Sequence, residues 1–444
     1  MVYMEPRDGR LLRPRRCCYT KTMQSLPPLP EWVKLEHKVA EILTQQEIHG
    51  WYFDEEAARK LESALRIEYE TITKVLLNRY PYVAGKEFTP KRNNKSQGYI
   101  EGCTFTRLKD FNPSSRDHIA WILQIHCGWT PVSMTSTGKP VIDETVLKEI
   151  GTDTALKFLT LLDLTKQLGM ISEGVNAWQK LCTKSRFTIT VLQTPLHLDA
   201  SSYSTNLGQV RADERFRRLF IATPGQRMVA ADLSGIELRM LAHYLARYDG
   251  GRYANILTTG DIHQTNADKI GISRRQVKTV TYAFLYGCGD IKLGHSYDQL
   301  LSEEAARKKG KEIRKAYVDA IPGLAELLAA THRGAERGFA SAIDGRRISV
   351  DKRHKFLNYL LQGGAAVIAK RWMVRAHEHI KDMSLCCNQL AFIHDELQFE
   401  CDPKHVEDLK SVLELSAVEA GEYYNMRIPI AAEAKDGETW ADTH

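Results

Sequence analysis

Met228-Val229-Ala230-Ala231-Asp232-Leu233-Ser234-Gly235-Ile236-Glu237-Leu238-Arg239 is the stretch on which the fold turns. Its apolar start reads as a buried strand that delivers one carboxylate, Asp232, at its end. A second stretch, Ile393-His394-Asp395-Glu396, lies between the apolar runs 389–392 and 397–399. It reads as strand, turn and strand, and presents Asp395 at a sheet edge. Two aspartates, each at the end of an apolar strand, are what a two-metal phosphoryl-transfer site requires. Two Mg²⁺ ions about 3.5–4 Å apart clamp the attacking and the leaving oxygen.

A third element lies between them. Residues 274–287, RRQVKTVTYAFLYG, read as one helix. Arg274, Lys278, Tyr282 and Tyr286 are spaced by multiples of four and share a face. Cations followed by aromatics suit a nucleoside triphosphate: charge for the phosphates, a ring for the sugar and base.

In this order the three segments resemble motifs A, B and C of family A DNA polymerases. Motif A of that family reads DxSxxELR, here DLSGIELR; motif B reads RxxxKxxx(F/Y)GxxYG, here RRQVKTVTYAFLYG; motif C reads (V/I)HDE, here IHDE. The likeness is to the replicative polymerases of short-tailed phages, and it runs from about residue 32 to 444. Phe111-Asn112-Pro113-Ser114-Ser115-Arg116-Asp117-His118, Gly260-Asp261-Ile262-His263 and the ending Trp440-Ala441-Asp442-Thr443-His444 add to it. The resemblance implies an α+β right-hand polymerase fold, with an antiparallel-sheet palm, helical fingers and a helical thumb.

Composition is permissive. The 444 residues can bury a large core. A net charge of +6 and a pI near 8.7 fit a nucleic-acid binder without demonstrating one. Nine cysteines with no C-x-x-C spacing argue against a structural zinc site and for reduced thiols. No apolar run reaches 18 residues, so no membrane-spanning helix is expected. Arg7, Arg10, Arg13, Arg15 and Arg16 make residues 1–28 a basic leader, read as disordered; Glu5 and Asp8 argue against a transit peptide.

Periodicity predicts helices over residues 32–46, 54–80, 114–127, 143–150 and 153–180, with Asp54 as an N-cap. Between them 80–112 reads as loop with short strands. Its basic cluster Lys91-Arg92-Asn93-Asn94-Lys95 suits a solvated loop or a DNA backbone. Strands are expected at 187–191, 228–232, 347–350 and 389–400. Further helices are expected at 237–248, 261–270, 274–286, 302–318, 324–337 and 355–380. By resemblance, 29–182 is the thumb, 183–245 the first part of the palm, 246–342 the fingers and 343–444 the rest of the palm.

The resemblance also assigns roles. Asp232, Asp395 and the Leu233 carbonyl hold two Mg²⁺ ions, with Glu396 beside them. Arg274, Lys278 and His263 bind the triphosphate, and Lys278 also serves as general acid. Tyr282 lies against the sugar and implies weak discrimination against dideoxynucleotides. Glu237 excludes ribonucleotides, whereas Arg239 reads as a structural cation. Tyr286 stacks near the template base, Asn358 and Gln362 read the minor groove, and His394 meets the primer end. The implied partners are primer–template DNA and dNTPs, and then a separate exonuclease or processivity factor. The acidic exonuclease motif of full-length relatives does not precede the thumb, and 80–112 is short for a thioredoxin-type clamp. Phage origin implies action in the host cytoplasm.

Two departures stand out. Asp199 falls where the family has a primer-gripping arginine, with Gly208 in place of a following Gln, and Ala283 replaces the motif B glycine. An acid near phosphates repels where an arginine attracts. A catalytically impaired DNA-binding accessory protein is therefore the alternative to a polymerase. A single-subunit RNA polymerase shares the palm, but Glu237 and the motif A spelling favour deoxynucleotides.

Overall fold

The computed structural model describes residues 28–183, 186–187, 210, 213–298 and 301–444. Residues 1–27 of the basic leader, Asp199 and Gly208 lie outside them.

The chain enters through α1 (Glu31–His49), the short strand β1 (Trp51–Phe53) and α2 (Glu55–Arg79). The Asp54 carboxylate caps α2 by accepting from the Ala57 amide at 2.8 Å. β2 (Tyr82–Phe88) and β3 (Phe105–Asp110) form an antiparallel hairpin inside this otherwise helical region. α3 (Arg116–Cys127), α4 (Glu144–Ile150) and α5 (Asp153–Leu168) pack with α2 around Ile119, Leu123, Leu147, Phe158 and Leu161.

The helix expected over 153–180 is broken. α5 stops at Leu168, a π-turn covers Gly169–Glu173, and α6 (Trp178–Leu181) follows. Glycine is the poorest helix former after proline, so Gly169 and Gly174 override an otherwise continuous apolar period. β4 (Cys182–Thr183) and β5 (Arg186–Phe187) join β1 and β6 (Phe220–Ile221) in a small sheet of order β4-β5-β1-β6, with α7 (Glu214–Arg217) before β6. The strand expected at 187–191 thus begins in this sheet rather than beside Asp232; its remainder lies outside the described residues.

The central sheet is antiparallel, of order β10-β11-β7-β12, built from β7 (Arg227–Leu233), β10 (Cys387–Ile393), β11 (Glu396–Cys401) and β12 (Ala432–Gly437). β7 is an inner strand, and Met228, Val229, Ala230 and Ala231 are all buried. That explains a run of apolar residues without alternation. The long helix α15 (Phe356–Asp382) and α16 (Val406–Tyr423) pair closely, and the Trp372 indole N–H donates to the Leu413 carbonyl at 2.8 Å. α1 packs on α15 and β10, and Glu36 accepts from the buried Lys370 ammonium at 2.7 and 2.8 Å. The first helix of the segment assigned to the thumb therefore shares the core of this sheet layer.

Between β7 and α15 run α8 (Ile236–Asp249), α9 (Arg252–Thr259), α10 (Ile262–Ile270), α11 (Arg274–Leu285), α12 (Asp290–Tyr297), α13 (Glu303–Ala320) and α14 (Leu324–Ala335). α12 and α13 approach so closely that a Cβ on Gly310 would lie 1.8 Å from the Asp290 carbonyl oxygen, so only glycine fits there. β8 (Phe339–Ser341) and β9 (Arg347–Ser349) form a separate two-stranded ribbon. Residues 347–350, expected as a palm strand, thus pair locally across a short turn instead of joining the distant sheet.

Candidate active site

β7 and the β10–β11 hairpin bring the two aspartates together. Glu396 stands opposite Asp232 in the register of β11 on β7, and the Leu233 amide donates to the Asp395 carbonyl at 3.0 Å. One backbone bond thus ties the end of one strand to the turn of the other. Glu433 of β12 faces Asp232 from the opposite side. The hairpin turn has only two residues, and its first, His394, has φ 58°. This left-handed conformation costs a non-glycine residue roughly 1–2 kcal/mol. The tight turn leaves His394 exposed and Asp395 at its corner.

Carboxylates gathered here resist ionisation. Burial, then the charges of Asp395 and Glu396, raise the Asp232 carboxyl to about 7. Burial, then Glu237, raise Asp395 to about 6. Such repulsion is what a cation relieves. No cluster of three or more His, Cys, Asp or Glu side chains arranged to hold a metal occurs among the described residues. Two neighbouring carboxylates are chemistry that fits a hard cation such as Mg²⁺, an ion that keeps waters and takes substrate phosphates.

Glu396 is engaged elsewhere. One oxygen accepts from the Trp440 indole at 3.1 Å and from the Gln398 amide, and the other lies 3.4 Å from His444 Nδ1. Glu396 is 6% exposed, so these partners hold its buried carboxyl in place. Trp440→Phe keeps an aromatic ring but removes the N–H donor and leaves a small cavity where the indole was buried. It is expected to destabilise the protein by about 1–3 kcal/mol, read by thermal melting. An unchanged melting temperature would remove the support argument.

The opposite wall is α10 and α11. Ser273 and Gln276 form a reciprocal capping box (amide to side-chain oxygen 3.3 and 3.0 Å), which starts α11 at Arg274. A helix N-terminus carrying a cation favours anions. Arg274 donates to Asp261 at 2.6 Å, and Asp261 also caps α10 through the Gln264 amide. His263 in the first turn of α10 is buried, and its Nδ1 has no partner among the described residues. Burial biases it toward the neutral form, with Arg274 and Lys278 adding to this. Its ring lies 6.2 Å from that of Tyr282. Burial, then the charges of Glu237 and Asp395, raise the Tyr282 phenol. Tyr286 donates to Glu237 at 3.2 Å, which closes the floor between α11 and α8.

Asn358 is buried and donates to the Leu285 carbonyl at 3.2 Å, docking α15 on the end of α11; Gln362 follows one turn later, half-buried. Arg239 donates to the carbonyls of Ser234, at 2.6 Å, and Pro429. Those bonds suit the structural cation expected of it. Sequence alone assigns no role to Asp261, Gln398, Trp440 or His444. A capping aspartate one residue before Ile262-His263 is a usable signal for the first; the others act only through tertiary contact.

Comparison with known proteins bears on the family and the fold. The family model described as DNA polymerase family A matches residues 87–442. The DNA-directed DNA polymerase of Enterobacteria phage T3 is 29% identical over 93% of this chain and 70% of its own length. That of Escherichia phage T7 is 28% identical over the same shares. A solved structure, the POL domain of Pol1 from M. smegmatis in complex with DNA primer-template and dNTP, matches with a TM-score of 0.74. Its identity is 22%, over 92% of this chain and 70% of that one.

Proposed function

The chain belongs to DNA polymerase family A, and from that premise we propose that it extends a primer 3′ end with dNTPs by two-metal phosphoryl transfer during phage DNA replication inside the host. Its catalysed class is DNA-directed DNA polymerisation. One observation carries the finer proposal: Asp232 and Asp395, joined through the Leu233–Asp395 backbone bond, lie near Tyr282 and Glu237 at the foot of a cationic helix.

Asp232, Asp395 and the Leu233 carbonyl would hold the two Mg²⁺ ions. When bound, these activate the primer 3′-oxygen and stabilise charge on the leaving pyrophosphate. Arg274, Lys278 and His263 bind the triphosphate from the α11 side. Lys278 meets the α-phosphate, where charge builds, and can donate a proton to the departing pyrophosphate. Tyr282 packs against the deoxyribose. Glu237, fixed by Tyr286, fills the space a 2′-hydroxyl would need. His394 meets the primer end, and Gln362 faces the duplex minor groove, whose acceptors look alike for every correct pair. Asn358, expected to share that role, is instead bonded to Leu285 and would have to leave that bond to do so. Residues 29–182 act as thumb, 246–342 as fingers, and 183–245 with 343–444 as palm.

The Tyr282 hydroxyl takes the place of the 3′-OH that a dideoxynucleotide lacks. Tyr282→Phe is therefore expected to raise discrimination against dideoxynucleotides by on the order of 10²-fold, measured as the ratio of kcat/KM for dNTP and ddNTP. An unchanged ratio would show that Tyr282 does not meet the sugar. The deoxy assignment itself is tested by extension with ribonucleotides, which should be poor with the natural chain and improve with Glu237→Ala.

A further inference from the structure

A second concave site lies on the far side of α15. It is a cavity of about 660 Å³ walled by α8, α14, β8, the start of α15 and the segment 424–427. Phe356 and Leu360 face it. At 100° per residue, Asn358 and Gln362 lie on roughly the opposite side of the same helix. The cavity therefore does not belong to the catalytic cleft.

Its chemistry is one-sided. Arg247, Arg333, Arg337 and Arg427 line it, and no Asp or Glu does. None of these four guanidinium groups has an ion pair or a hydrogen-bond acceptor among the described residues. The nearby Asp344 is already paired with Arg346 at 2.7 Å. All four are exposed, so water solvates them, and together they give the hollow a positive potential that attracts anions.

A second observation is independent of these exposed cations. Tyr244 lines the cavity and is 8% exposed, yet its hydroxyl is buried without a partner among the described residues. Burial first keeps this phenol high, at about 12, so it remains a proton donor. A buried donor without an acceptor costs about 1–3 kcal/mol. Tyr248 adds an exposed aromatic face beside the arginines, and Phe339, with Arg347 over one side of its ring at 4.6 Å, adds a second. The volume falls within the range of small-molecule pockets, about 300–1,000 Å³.

We propose that this cavity binds a nucleotide-sized polyphosphate, with the arginines on the phosphates and the Tyr244 hydroxyl donating to a phosphate oxygen. Arginine forks match phosphate oxygens in pairs, and an aromatic wall suits a nucleobase rather than the side chains of an acidic peptide.

The test is calorimetric titration of the full chain with inorganic tripolyphosphate and then with dATP, in EDTA so that the catalytic cleft lacks its metal. Saturable binding of both is expected, with dATP the tighter. Arg333→Glu combined with Arg337→Glu should weaken it at least roughly tenfold while primer extension stays unchanged. Tyr244→Phe should weaken it with the fold intact by circular dichroism. Lys278→Ala should leave it unaltered. Loss of binding in Lys278→Ala, or unchanged affinity in both cavity variants, would overturn the proposal. Binding of a hexaglutamate peptide but not tripolyphosphate would also overturn it, and would assign the cavity to an acidic protein segment.

Discussion

Asp395→Asn is expected to lower primer extension by about 10³-fold or more, equivalent to about 4 kcal/mol of transition-state stabilisation, while duplex binding is retained. Asparagine keeps the shape of the turn and removes the charge proposed to hold the metals. The same substitution should stabilise the metal-free protein at alkaline pH. The Asp395 carboxyl is raised to about 6 and Asp232 to about 7, both chiefly by burial. A carboxyl raised above its unfolded value of about 3.9 contributes stability that is present below that value. The contribution is lost as pH rises through the folded value. In EDTA the natural chain should therefore lose stability from about pH 4 to 7. Asp395→Asn should melt higher than it at pH 8 and equally near pH 4. Mg²⁺ should restore the natural chain but not the variant. A variant that melts lower than the natural chain at pH 8 would mean that Asp395 is a structural partner rather than a strained ligand.

Lys278→Ala carries the second large effect. Lys278 lies one turn before Tyr282 on α11 and close enough to His263 to bias its ionisation. A cation aimed at charge that grows in the transition state is worth about 10²–10³ in kcat. The loss should appear in single-turnover kcat more than in dNTP affinity, because on the proposed reading Arg274 and the α11 N-terminus still bind the triphosphate. An effect confined to KM would place Lys278 in ground-state binding alone.

These expectations rest on unevenly legible parts of the chain. β7 is readable because an inner strand with both neighbours present is apolar throughout. α11 is readable because cations and aromatics recur every fourth residue. The turn at His394-Asp395 is placed by its two apolar flanks. β12 is not readable: Ala432–Gly437 is AEAKDG, half-exposed and polar, and only its pairing with β7 makes it a strand. α9 and α12 escape because each starts after a glycine with no side-chain cap to mark it, whereas the shorter α4 is announced by Asp143. The sequence spacing of Asn358 and Gln362 places them on one face. It does not show that Asn358 is drawn into a bond with Leu285. Likewise Glu396 is legible as an acid beside Asp395, but its dependence on Trp440 and His444 arises where distant parts of the chain meet in space.

Extension of a labelled primer–template by the natural chain with Mg²⁺ and dNTPs, with an EDTA arm in parallel, is the most direct measurement. Template-directed extension that stops with EDTA is the predicted result. Duplex binding without extension under Mg²⁺ would contradict a metal-dependent polymerase and leave a DNA-binding replication protein in its place.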